Sequence, residues 1–271
     1  MEKRNSLEIN KEFSEAKNFE ILPTFNINSF TDSYLGNSSF IIVKSLNDVL
    51  FLIYSNKNKS ILCYNLIENQ KITEIKNAHD DDISCFKHYL DEILKIDYIM
   101  SVSSGNNNIQ LWNLINFQLI LNLNNIYTNE FLFAICFLKY NKSNYIVTSN
   151  WNFDDSEPIK IFDFQGKEMK ELNNSNNITF SLEVYYDEES STNYIIAGTN
   201  ISVKSYNFQK NEEYREYYDV TTYHCNIIIQ KEEKLVKLII SCTDGHIRIW
   251  DFHSSNLLKK IKVYNGWLYG I

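Results

Sequence analysis

SCTDGHIRIWDF, residues 241–252, reads as the end of one β-run, a tight turn at Asp244-Gly245, and a second run closing on Trp250-Asp251. Its second half has an aliphatic residue, two variable ones, an aromatic, Asn or Asp, then Leu or Phe. The same order stands in ILCYNL (61–66), IQLWNL (109–114), IKIFDF (159–164) and VKSYNF (203–208). The aromatic column is Tyr64, Trp112, Phe162, Tyr206 and Trp250, at spacings of 48, 50, 44 and 44 residues. One such segment would carry no weight in this composition, but five in near-register mark an internal repeat.

The flanks repeat as well. A second β-rich run precedes each segment and ends in turn-forming residues: VLFLIYSNKNK, YIMSVSSGNNN, YIVTSN, YIIAGTN and LIISCTDGH. Gly105, Gly198 and Gly245 fall in these turns, where Gly, Asn and Asp accept the positive φ of a strand reversal. A further strand comes before each pair, as in ISCFKHY, FLFAICFLKY, ITFSLEVYY and CNIIIQ, and another after, as in KITEIK, FQLILNL, EYREYYDV and LLKKIKV. Four strands per repeat exclude a coiled coil or helical solenoid and predict an all-β fold, a β-propeller of four-stranded blades. Continuous apolar runs such as IIAG and LIISC fit inner strands covered on both faces.

The repeats span about 38–76, 82–123, 130–172, 178–219 and 222–263 within a domain of residues 31–271. Residues 264–271 read as the opening strand of a sixth blade, which predicts an incomplete, open ring. Residues 1–30 read as an extension, partly disordered, in which FEILPTFNIN (19–28) is a candidate closing strand.

Composition narrows the class of partner. A hydrophobic share of 44% and a charged share of 22% are those of a globular chain. The net charge of -8 argues against the basic footprint of a nucleic-acid or anionic-membrane binder. No stretch has the length of a membrane span, and MEKRNSLEINKEF lacks the apolar core of a secretory signal. The expectation is a cytoplasmic protein, with the nucleus left open. The five cysteines are odd in number and lie in apolar runs, as free buried thiols do.

On these residues the chain resembles the WD40 family. SCTDGHIRIWDF looks like that family's second and third strands, and SVSSGNNNIQLWNL (101–114) is similar with Asn for Asp. His79 and His224 stand where the family carries a His before the first strand. The resemblance implies a hydrogen-bonded set in each blade: His79, Ser104, Asn106 and Trp112 in one, and His224, Asp244 and Trp250, with Cys242 in the hydroxyl position, in another. A thiol and an amide in these places predict looser networks. The other repeats carry Tyr or Phe for Trp and no evident His. The resemblance further implies a non-catalytic scaffold for protein–protein interactions in a multiprotein complex. The alternatives are a substrate-recruiting subunit of a ubiquitin ligase, though no Trp-Asp-x-Arg motif is present, and a propeller hydrolase.

Sites of chemistry are sparse. There is no Gly-rich phosphate loop, G-x-S-x-G or H-E-x-x-H, and no cofactor is expected. His79, Cys85 and His88 lie close in sequence, but His79 belongs to the repeat pattern and a structural zinc needs four placed N or S ligands. His246 and His253 sit at opposite ends of one strand. The sharper expectation is a partner-binding face. The loop Asp80-Asp81-Asp82 and the loop holding Trp151, Phe153, Asp154 and Asp155 emerge on the same side in the WD40 arrangement. An acidic rim around aromatic anchors suits a basic peptide; the alternative is an ordinary solvated face with Trp151 folded back.

Overall fold

The computed structural model describes residues 40–265 except 57–58, 104, 128–130, 152–157, 173–177, 219–226 and 234, with backbone alone at 131, 133 and 151. All of these fall in one compact unit, Thr31–Ile271. Sheet 1 holds β1 (Phe40–Lys44), β2 (Leu50–Ser55), β3 (Ile61–Asn65) and β4 (Gln70–Ile75). Sheet 2 holds β5 (Ile83–Asp91), β6 (Ile96–Ser103), β7 (Asn108–Asn113) and β8 (Leu119–Leu123). Sheet 3 holds β9 (Phe131–Tyr140), β10 (Ser143–Trp151), β11 (Ile159–Asp163) and β12 (Glu168–Leu172). Sheet 4 holds β13 (Thr179–Asp187), β14 (Thr192–Thr199), β15 (Val203–Asn207) and β16 (Glu212–Tyr217). Sheet 5 holds β17 (Ile227–Glu232), β18 (Leu235–Ser241), β19 (His246–Asp251) and β20 (Leu257–Lys262). Each sheet is an antiparallel meander in chain order. No helix is present among the described residues, and so none long and apolar enough to cross a membrane.

The repeat has a local cause at its Asn/Asp column. The side-chain oxygens of Asn65, Asn113, Asp163, Asn207 and Asp251 accept backbone N–H groups of the turn that follows, from Ile67, Ile115, Gln165, Lys210 and His253 at 2.8–3.0 Å. These Asx turns aim the chain from the third strand into the fourth. In all five sheets the pairing to the fourth strand slips by a bulge beside the aromatic of the column, at Tyr64, Trp112, Phe162, Tyr206 and Trp250. A bulge there bends and twists the outer strand.

Tight turns elsewhere use positive φ, and Asn69, Asn77, Asn107, Asn125, Asn141 and Asn211 carry it in this Asn-rich chain. Gly245 has φ 74° in the β18–β19 turn, as its sequence position predicts. Gly198 does not lie in a turn: it is inside β14, paired with Val203. The reversal there falls on residues 199–202, closed by the Thr199 hydroxyl, which donates to Ser202 O at 2.8 Å and accepts from Ser202 N at 3.1 Å.

Packing runs from sheet to sheet. The first strands adjoin in order, β1 to β5, β5 to β9, β9 to β13 and β13 to β17. One apolar core fills each gap between consecutive sheets, and the column aromatics of sheets 2 to 5 pack toward the sheet before their own. Trp112 meets Val43, Ile53 and Cys63 of sheet 1. Phe162 joins Met100 and Leu111, Tyr206 joins Cys136 and Val147, and Trp250 joins Tyr194 and Ile196. Sheets 2, 3 and 4 are therefore covered on both faces, and β14 is buried at every position from Asn193 to Thr199. In β18 buried and half-buried residues alternate instead, because these four cores cover only one face of sheet 5.

Candidate functional site

His79, Ser101 and Trp112 form the network of sheet 2. The Trp112 indole N–H donates to Ser101 Oγ at 3.0 Å, and His79 Nε2 lies 2.7 Å from the same oxygen. The hydroxyl in this position is thus Ser101, whereas Ser104, which the pattern points to, lies outside the described residues. Register explains the choice: Trp112 pairs with Ile99, so Ser101 sits two residues along on the same face. Burial lowers the His79 pKa from 6.5 to about 4, which keeps the ring neutral. Asn106 lies in the β6–β7 turn, its buried Oδ1 without a hydrogen-bond partner among the described residues.

In sheet 5 the two carboxylate oxygens of Asp244 take the guanidinium N–H groups of Arg248 at 2.9 and 2.6 Å. That fork holds the Asp244 carboxyl well below its ordinary range, and Arg248 itself is 2% exposed. Cys242 is buried with its Sγ donating to Ile240 O at 3.8 Å, and Trp250 is buried with it in the sheet 4–5 core. Asp251 caps its turn, Ser254 Oγ donating to it at 2.7 Å. His224 lies outside the described residues.

In the acidic loop Asp80 and Asp82 are exposed and Asp81 is half-buried. Asp81 Oδ1 accepts from the Asp82 amide at 2.8 Å, while Oδ2 lies 1.7 Å from where a Cβ on Gly105 would stand. The loop before β5 is thus pressed onto the β6–β7 turn, and glycine at 105 is what admits the carboxylate. Trp151 ends β10 opposite Phe131. Phe153, Asp154 and Asp155 lie outside the described residues.

Sequence reasoning misses a cleft where first strands converge. It measures about 430 Å³ and is lined from β1 by residues 41–44, from β5 by Lys87, His88 and Tyr89, from β9 by Cys136 and Phe137, and from β13 by Glu183. Lys87 Nζ and Glu183 Oε2 are 3.7 Å apart. Burial, the largest influence, opposes the ammonium, but the surrounding groups, Glu183 foremost with Cys85 and Cys136, together raise the Lys87 pKa. Burial, reinforced by Glu183, pushes Cys136 far above its ordinary range, so the group stays a thiol and is no nucleophile. His88 Nε2 is 3.0 Å from the buried Asp97, whose other oxygen accepts from Leu46 N at 2.7 Å and ties sheet 1 to sheet 2. The signal available in the sequence was the non-apolar side chains Lys87 and Glu183 at like positions of first strands.

His79, Cys85 and His88 are not gathered. His79 is bound to Ser101 and His88 to Asp97, while Cys85 Sγ faces Phe86 O at 3.6 Å. Among the described residues no three His, Cys, Asp or Glu side chains assemble as metal ligands.

Fold and site together define a repeat protein of four-stranded antiparallel sheets. Among solved structures 1042 chains match it, so the fold is a common one and does not by itself name a function. One is the crystal structure of the computationally designed Ika8 protein, at a TM-score of 0.60 and 15% identity, covering 84% of this chain and 63% of that one. The chain thus spans a little under two thirds of that protein's length, and the likeness is one of fold. No protein-family model and no curated protein matches the chain.

Proposed function

We propose that the chain is a WD40-type β-propeller that binds other proteins and catalyses nothing. The observation that carries this reading is the series of sheets joined face to face through shared cores with first strands side by side. Such a body holds the loops between strands on a rigid frame, which suits recognition. Three polar groups inside it, His79, Cys136 and Asp244, support the same reading, because their surroundings commit them to structure. His79 is neutral and bound to Ser101, Cys136 is held as a thiol, and Asp244 is clamped by Arg248.

In this reading the loop Asp80-Asp81-Asp82, together with Trp151, Phe153, Asp154 and Asp155, receives a basic peptide. Asp80 and Asp82 suit a test because both are exposed, whereas Asp81 is packed on Gly105. Fluorescence anisotropy with a labelled Lys/Arg-rich peptide is expected to show saturable binding that weakens with salt and falls about tenfold in the Asp80→Lys, Asp82→Lys variant. Equal binding by the variant would contradict the acidic face, and no binding by either protein would remove the basic peptide as its ligand.

A further inference from the structure

We infer that the cleft between the first strands of sheets 1 to 4 binds a small zwitterion, a free α-amino acid with an apolar side chain. This goes beyond the protein-binding reading and does not depend on it. The Lys87 and Glu183 side chains are 36% and 37% exposed, and both face the cleft. Their separation of 3.7 Å exceeds the roughly 2.8 Å of a charge-assisted hydrogen bond. The ammonium has three donors, and among the described residues its ion pair with Glu183 is its contact to an acceptor. Glu183 Oε1 accepts from the Val184 amide at 3.1 Å, which leaves Oε2 toward Lys87 and the cleft.

A loosely closed pair of this kind selects by charge pattern. A simple anion offered to Lys87 meets repulsion from Glu183, and a simple cation offered to Glu183 meets it from Lys87. A ligand carrying carboxylate and ammonium on one carbon presents each charge to its opposite, with the two dipoles side by side and antiparallel. Two other polar side chains line the cleft, and each is held by a carboxylate, Lys44 by Asp48 at 2.7 Å and His88 by Asp97 at 3.0 Å; the remaining wall is aliphatic and aromatic. Ile41 and Val43 come from β1, and Phe137 and Tyr89 pack as a stacked pair with ring centroids 5.1 Å apart. That wall suits an aliphatic or aromatic side chain, and the cleft volume lies within the range of about 300–1,000 Å³ common to ligand pockets.

Isothermal titration calorimetry of the full chain with L-phenylalanine and L-leucine tests the inference. N-acetyl-L-phenylalanine lacks the ammonium and phenethylamine lacks the carboxylate, so they serve as single-charge probes. Saturable binding of at least one amino acid is expected, with a loss of about tenfold or more for both single-charge probes and for Lys87→Met and Glu183→Gln. Lys87→Arg keeps the charge and is expected to keep binding within a few-fold, which separates loss of the site from loss of the fold. The inference is overturned if neither amino acid binds the wild-type chain saturably, if the single-charge probes bind as well, or if Lys87→Met and Glu183→Gln bind unchanged.

Discussion

Ser101 joins two side chains that are both buried. It accepts the Trp112 N–H and meets His79 Nε2, so Ser101→Ala leaves a buried donor without its acceptor. The expected cost is about 1–3 kcal/mol in urea unfolding; a change below about 0.5 kcal/mol would mean that water replaces the hydroxyl freely. His79 has a pH signature. Its folded pKa of about 4 is below its ordinary 6.5, so protonation favours the unfolded chain. Its contribution is full above pH 6.5, declines as pH falls toward 4 and levels off below, a loss on the order of 3 kcal/mol. His79→Gln should lose that slope between pH 6.5 and 4; identical slopes in both proteins would contradict a neutral buried imidazole. Trp112 and His79 were legible because an aromatic and an imidazole at repeat spacing stand out from the sequence. Ser101 was not, because a serine two residues from the end of an apolar strand gives no sign of facing the tryptophan until register is known.

At the scale of the element, each third strand ends in an Asx turn. Asn113 Oδ1 accepts from Ile115 N at 2.8 Å, and Asn207 Oδ1 from Lys210 N at 2.9 Å. Asn113→Ala and Asn207→Ala are each expected to lower stability by about 1 kcal/mol, read as a shift of the urea midpoint with unchanged slope. Unshifted midpoints would show that the turns form without their caps. The second and third strands could be read from sequence because β-branched and aromatic runs flank Gly, Asn and Asp. The fourth strand of sheet 3, EMKEL, could not, since it is largely exposed and offers little apolar alternation. Gly198 misled for a related reason: glycine marks turns, but here a threonine hydroxyl closes the reversal and the glycine is a strand residue packed within the sheet. The bulge beside each aromatic has no sequence signal of its own, because it arises from pairing with the next strand.

For the whole molecule, stability resides in the four cores between sheets. Leu111 and Leu238 are completely buried in two of them, and truncation to Ala is expected to cost about 2–5 kcal/mol. Ile239 and Ile249 are paired neighbours on the other face of sheet 5, outside these cores and half-buried. Their truncation is expected to cost about 1 kcal/mol or less. Equal losses at Leu238 and Ile249 would show that the far face of sheet 5 is covered in solution as fully as the near one. The succession of sheets was legible in the five-fold repeat. The cleft at the first strands was not, since it depends on strands from four sheets, each starting about 40 to 50 residues after the one before it.

The claim that this frame exists to hold other proteins is tested most directly by purifying the tagged chain from its native cell after brief crosslinking, beside the Asp80→Lys, Asp82→Lys variant, with mass spectrometry of what accompanies each. A reproducible set of companions is expected with the wild-type chain, and basic members of it are expected to be lost from the variant. Recovery of the wild-type chain alone would contradict the claim.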